Sequence, residues 1–189
     1  DVVMRRAIAY AIDKQQIIEH VYMNLVTPLD CMLADGYFGS TGQGVEQYEY
    51  NPKKAKELLK AAGYGNRIKL KAVFPTIQKA PDVYTVVQAQ LAQIGIDLEL
   101  EQMEFGSWFQ YVRSDKGGKE YHMSWNPIGP RPPDGDYPMT IFYHSDSFPP
   151  GINHARYSGI DNLIEAERVE SDPEKRKKIF AEMMRKCAE

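Results

Sequence analysis

The sequence predicts an α/β fold, a small and mainly parallel sheet flanked by helices. Three observations predict it. The stretches "IKLKAVF" (68–74) and "IDLELEQ" (96–102) each alternate apolar and polar residues at strand period. Between them, Pro81 and Gly95 bracket a helical apolar pattern of Val83, Val86, Val87, Leu91 and Ile94. Strand, helix and strand over roughly 35 residues make a βαβ unit, which requires parallel strands and a right-handed crossover.

The other elements follow in chain order. Residues 2–12 read as a helix burying Val3, Ala7, Ile8, Ala11 and Ile12. Asp13 caps a second helix, 14–22, with Gln16 completing a capping box, and Ile17, Ile18 and Val21 face inward. Residues 24–50 carry Pro28, Gly36, Gly39, Gly42 and Gly44 and predict a long loop, of the kind that is functional or mobile. "YNPKKAKELLKAAGY" (50–64) then spells a complete helix: Asn51 as cap, Pro52 in the first turn, Ala55, Leu58, Leu59 and Ala62 on one face, and Gly63 to end it. Tyr64 folds back towards Leu58 or Leu59.

After the βαβ unit, residues 108–112 read as a short helix, and "YHMSW" (121–125) as a third strand. The segment "NPIGPRPPDGDYP" (126–138) holds five prolines and two glycines in 13 residues, which predicts no regular structure. A short helix is expected around Thr140. Two helices close the chain, 160–169 and one capped at Ser171 or Asp172 that buries Ile179, Phe180 and Met183.

Composition narrows the function. Of 189 residues, 43% are apolar and 26% charged, ordinary values for a globular domain. A net charge of -3 gives no pull towards nucleic acid or an anionic membrane. No apolar run approaches the roughly 20 residues that span a bilayer. The first residues already read as a helix, so a fragment of a longer protein is expected. Cys31 and Cys187 fit no metal spacing, and spacing alone does not decide whether they pair.

Motifs for chemistry are few. His20, His122, His144 and His154 include no i, i+4 pair, and there is no H-E-x-x-H, G-x-S-x-G or phosphate loop. No metal or cofactor is expected. Asp134 and Asp136 lie together in a loop, where a hydrolytic pair and simple turn formation beside Gly135 are both open readings. Open α/β sheets bind ligands beyond the carboxyl ends of their strands, and Trp125 ends the third strand. The candidate ligand-binding residues are therefore Phe105, Trp108, Trp125, Asn126, Arg131, Asp134, Asp136 and Tyr137. Aromatic faces with a few polar groups suit reversible capture of a small polar solute. Arg131 can grip a carboxylate, and Asp134 or Asp136 an ammonium. Against this stands the plainer reading, a core Trp125 with solvated charges.

Four stretches in order carry a resemblance: "MRRAIAYAIDKQQIIEHVY" (4–22), "YNPKKAKELLKAAGY" (50–64), "AQLAQIGIDLEL" (89–100) and "RYSGIDNLIEAERVESDPEKRKKIFAEM" (156–183). Together they resemble the family 5 extracellular solute-binding proteins, the peptide- and nickel-binding group serving ABC importers. The resemblance implies a periplasmic-binding-protein-like fold of type II, with residues 1–189 as one ligand-binding lobe of a larger two-lobed protein. It implies a non-enzymatic protein in the periplasm or anchored outside the membrane as a lipoprotein. Its implied partners are an oligopeptide or similar solute, the importer's membrane subunits and an amino-terminal lobe, with no nucleic acid.

Site residues carry over unevenly. Trp125 matches the Trp that ends the family's strand, and Phe105 falls where an aromatic pocket wall is implied. Ile128 stands where some members place an Asp that receives the peptide amine. "RPPDGD" retains Arg131 and Asp134 of another pattern, with Pro133 and Gly135 departing from it. The alternatives are an oligosaccharide, haem, nickel complex or opine on the same scaffold, a hydrolase using Asp134 and Asp136, or a sensor module.

Overall fold

A computed structural model describes residues 1–29, 31–65, 67–77, 79–115, 117–126 and 133–188. The chain groups into two compact units: Asp1–Pro28 with Tyr48–Val112 and Lys119–Trp125, and Leu29–Gln47 with Arg113–Gly118 and Asn126–Glu189.

The first unit is built on three parallel strands in the order β2-β1-β3: β1 Ile68–Pro75, β2 Ile96–Met103 and β3 Met123–Ser124. The register runs from Ile68 opposite Ile96 to Pro75 opposite Met103, so the parallel pairing expected of the βαβ unit holds. The third strand is shorter than its alternation predicts, with Ala72 opposite Met123 and Val73 opposite Ser124. Its flanks are still tied to β1: His122 N donates to the Lys71 carbonyl at 2.9 Å, and Lys71 N donates to His122 Nδ1 at 3.0 Å.

Pleating sends alternate side chains to opposite faces. Ala72, Phe74, Ile96 and Leu98 join one core with α1 (Val2–Ala11), α3 (Pro52–Ala61) and α4 (Ala80–Ala92). Val73 points the other way, onto Trp108 and Val112 of α5 (Phe105–Val112), which the short α6 (Gly117–Glu120) follows in the chain. Sheet and helices thus make layers with both sheet faces covered.

Helix α3 is capped as its sequence predicts. Asn51 Oδ1 accepts from Lys54 N at 2.9 Å, Gly63 has φ +79°, and Tyr64 N donates to the Leu59 carbonyl at 3.0 Å. Against it lies Tyr10, buried where Val3 and Ile12 were expected and are only half-buried. The difference is chemical: the Tyr10 hydroxyl accepts from Lys54 Nζ at 2.6 Å, and the same ammonium sits 4.0 Å from its ring centre.

The cap of α2 (Lys14–His20) is a second correction. Asp13 Oδ1 accepts from Gln16 N at 3.0 Å, but the Gln16 side chain does not return to close the box. Gln90, from α4 and only 2% exposed, does so instead. Its Oε1 accepts from Asp13 N at 3.1 Å, and its Nε2 donates to Gln16 Oε1 at 2.7 Å.

The second unit has no sheet among its described residues. It packs α7 (Asp136–Tyr143), α8 (Asp161–Val169) and α9 (Pro173–Ala188) around Leu33, Met139, Ile164, Phe180, Met183 and Met184. α9 is capped by Asp172, whose Oδ1 accepts from Glu174 N and Lys175 N at 2.9 and 3.2 Å. The segment predicted irregular to residue 138 becomes helical at Asp136. Pro138 lies in the first turn of α7, where its missing N–H costs no hydrogen bond. The long loop is not a free coil either. Leu33 is 2% exposed, and Phe38 pairs with Asp134 in an isolated parallel bridge. Gly135 is required there by space: a Cβ would stand 2.6 Å from the Phe180 ring and 2.9 Å from the Phe38 carbonyl oxygen. Cys31 and Cys187 are both free thiols at the edge of this core, and burial pushes Cys187 up to about 12.

Candidate ligand-binding site

The eight candidate residues divide between the units. In the first, Phe105 opens α5 and is exposed, with its ring 5.7 Å from Trp108 and stacked at 6.0 Å on Phe109. Trp108 is 3% exposed and holds the sheet: its Nε1 donates to Ser124 Oγ of β3 at 3.2 Å. Trp125 is half-buried against both cores of this unit, edge-on to Tyr84 at 6.4 Å. Its Nε1 is buried with no hydrogen-bond partner among the described residues.

In the second unit, Asn126 is exposed and Tyr137 stands on α7 at 36% exposure. Arg131 and Ile128 lie outside the described residues. Asp134 and Asp136 are partly buried and engaged. Asp134 receives both terminal nitrogens of Arg176, at 2.7 and 2.8 Å. Those bonds, with one from Asp136 N, outweigh burial and hold the Asp134 carboxyl below the usual range. The Arg176 guanidinium also lies over the Phe38 and Phe180 rings, at 4.7 and 5.3 Å. Asp136 receives Arg168 Nε at 2.7 Å and the Thr140 hydroxyl at 3.1 Å. Both carboxylates therefore tie α7 to α8 and α9.

The second unit also contains a cavity of about 530 Å³ that the sequence did not reveal. Leu33, Met139, Phe142 and Ile152 give it apolar walls, and Asn126, Tyr37 and Tyr143 bring polar groups to it. Among the described candidate residues, only Asn126 lines it. The size and lining suit an apolar group on a small solute. The signal available was the spacing of Pro138, Met139, Phe142 and Tyr143, one helical face, hidden because α7 begins inside a Pro-rich stretch.

His154 lines the same cavity with both ring nitrogens buried and unpartnered among the described residues. Burial, aided by the charge of Arg113, pushes its pKa down to about 4, so the ring is neutral at pH 7. Among the described residues no group of three or more His, Cys, Asp or Glu could hold a metal ion.

A parallel sheet under helices, with aromatic residues near the end of its third strand in the first unit and a largely apolar cavity in the second, has the layout in which α/β proteins receive small solutes. Residues 1–150 match the sequence model of the bacterial extracellular solute-binding proteins, family 5 Middle, and the chain belongs to that family. It is 26% identical over 187 residues to the dipeptide-binding protein of Escherichia coli (strain K12), covering 95% of this chain and 34% of that protein. It is 28% identical over 191 residues to the glutathione-binding protein GsiB of Salmonella paratyphi A, covering 95% and 36%. Among solved structures, the peptide-bound DppA of Helicobacter pylori superposes with a TM-score of 0.88 at 25% identity, over 98% of this chain and 36% of that one. AppA of Clostridium difficile, a putative peptide-binding protein, gives 0.89 at 26%, over 100% and 38%. The chain thus spans about a third of the length of these relatives.

Proposed function

We propose that this chain is a ligand-binding lobe of the substrate-binding component of an ABC importer, working outside the cytoplasmic membrane and capturing an oligopeptide or a similar small polar solute. The observation that supports this most is the likeness over 98% of the chain to a protein described in complex with the peptide STSA. Capture is non-covalent: two lobes close on the solute, and closure is selected by contacts to both. Phe105, Trp125, Asn126, Arg131 and Tyr137 supply this lobe's direct contacts. Trp108, Asp134 and Asp136 act behind them, the first through Ser124 and the two carboxylates through Arg176 and Arg168. A second reading is an opine ligand, supported by the likeness to MoaA in complex with mannopinic acid, TM-score 0.83 at 26% identity.

The test is calorimetry and mass spectrometry on the longer protein that carries this chain. Peptides should co-purify with it, and Arg131→Ala should weaken their capture by about tenfold or more, the order expected for a charge-assisted bond. Release of opines instead selects the second reading. A chain of 189 residues that alone binds peptide below micromolar Kd ends the two-lobe reading.

A further inference from the structure

The charged cluster at the start of α7 has one member that is not fully satisfied. Glu167 lies on α8 with a fully buried side chain. Its Oε2 accepts from Arg176 Nε at 2.7 Å, while its Oε1 is buried with no donor among the described residues. Its neighbour across the helix interface is Asp136, whose carboxyl group is close enough to interact with its own. Among the described residues, the cluster that holds Glu167 comprises Asp136 and Thr140 from α7, Arg176 from α9, Arg168 on α8 itself, bonded to Asp136 and Thr140, and Asp134 through the Arg176 guanidinium. Three carboxyl groups thus meet two guanidiniums.

Two carboxylates cannot hydrogen-bond each other, and a buried one without a donor is strongly disfavoured. One proton resolves both problems. It turns Glu167 into an O–H donor towards Asp136 and leaves two anions opposite two cations. Asp136 is the natural acceptor: burial raises its pKa, but the bonds from Arg168, Glu167 and Thr140 outweigh this and hold it low. Glu167 moves the other way. Burial is the largest cause, Asp136 adds to it and Arg176 opposes it, and the result is about 7.

We propose that Glu167 is a proton-dependent latch: protonated, it bonds Asp136 and clamps α7 to α8 and α9, and loss of that proton as pH rises loosens the clamp. α7 carries Pro138, Met139, Phe142 and Tyr143 of the apolar cavity, so the proton governs how firmly that wall is held. The pKa is raised from 4.5 to about 7 on folding, so the stabilisation is complete below pH 4.5 and is lost as pH climbs through 7.

The test compares the chain with Glu167→Gln by urea denaturation at pH 5 and pH 8. Glutamine keeps an acceptor for Arg176 and gives Asp136 an N–H at every pH. Relative to the variant, the folding constant of the unmodified chain should drop on the order of fiftyfold between the two pH values. The difference between proteins is the readout because His154 titrates oppositely in the same window and is common to both. Equal pH slopes in the two proteins overturn the proposal. Should the variant not fold, carboxyl ¹³C NMR of the unmodified chain decides: an assigned Glu167 signal titrating near neutrality supports the latch, and one titrating below pH 5 overturns it.

Discussion

The two units solve the same problem by different means. The first closes its backbone with a parallel ladder, β2-β1-β3, and covers both faces with apolar side chains. Its notable buried polar group, Gln90, mends a helix cap. The second has no described sheet to join its helices, and charged side chains take that part. Arg176 grips Asp134 and Glu167, while Arg168 grips Asp136. A ladder satisfies backbone groups by repetition, whereas a side-chain network depends on each member and on its protonation. The first unit should therefore tolerate single changes better, and the second should respond to pH.

The comparison breaks most readily at Arg176. Arg176→Ala leaves Glu167 and Asp134 without their cation, and removing one partner of such a pair costs about 3–5 kcal/mol. Urea denaturation should show this loss in the second unit; a loss under 1 kcal/mol would mean that the network contributes little. Next is acid. The His154 pKa is lowered from 6.5 to about 4 by burial and Arg113, so its contribution to stability is present above pH 6.5 and is lost as pH falls towards 4. His154→Phe should remove roughly 1–3 kcal/mol of that acid-side decline, seen in melting curves at pH 4.5 and pH 7.

The first unit offers the sharper control. Gln90→Leu preserves volume but strands Asp13 N–H and the Gln16 amide, at a cost of about 1–3 kcal/mol with little pH dependence. A pH-dependent loss there would erase the contrast. The smallest effect is Asn51→Ala, about 1 kcal/mol from the lost cap, read as faster amide exchange in the first turn of α3.

What was legible in the sequence follows the same division. The α3 helix was readable from Asn51 to Tyr64 because capping, amphipathic spacing and a left-handed glycine act within one turn of each other. The paired strands were readable because alternation at period two dictates which side chains share a face. Asp134 and Asp136 read equally as solute ligands or turn formers, since nothing nearby announces that Arg176 and Arg168 hold them from 42 and 32 residues away. Trp108 read only as a candidate ligand-binding aromatic because its bond to Ser124 crosses 16 residues. The cavity stayed hidden because its described walls come from four separated places, around residues 29–37, at Asn126, and around 138–143 and 152–155.

The sequence by itself determined helix α3, the parallel pairing of β1 with β2 and the family, since these rest on interactions between residues a few positions apart or on patterns repeated along the chain. Only the tertiary structure decided which charged residues face one another, that Gln90 completes a cap 77 residues away, and that α7 lines a cavity. The reason is physical: a side chain's partner is set by the folded path of the backbone, and a charge carries no mark of which opposite charge it will meet.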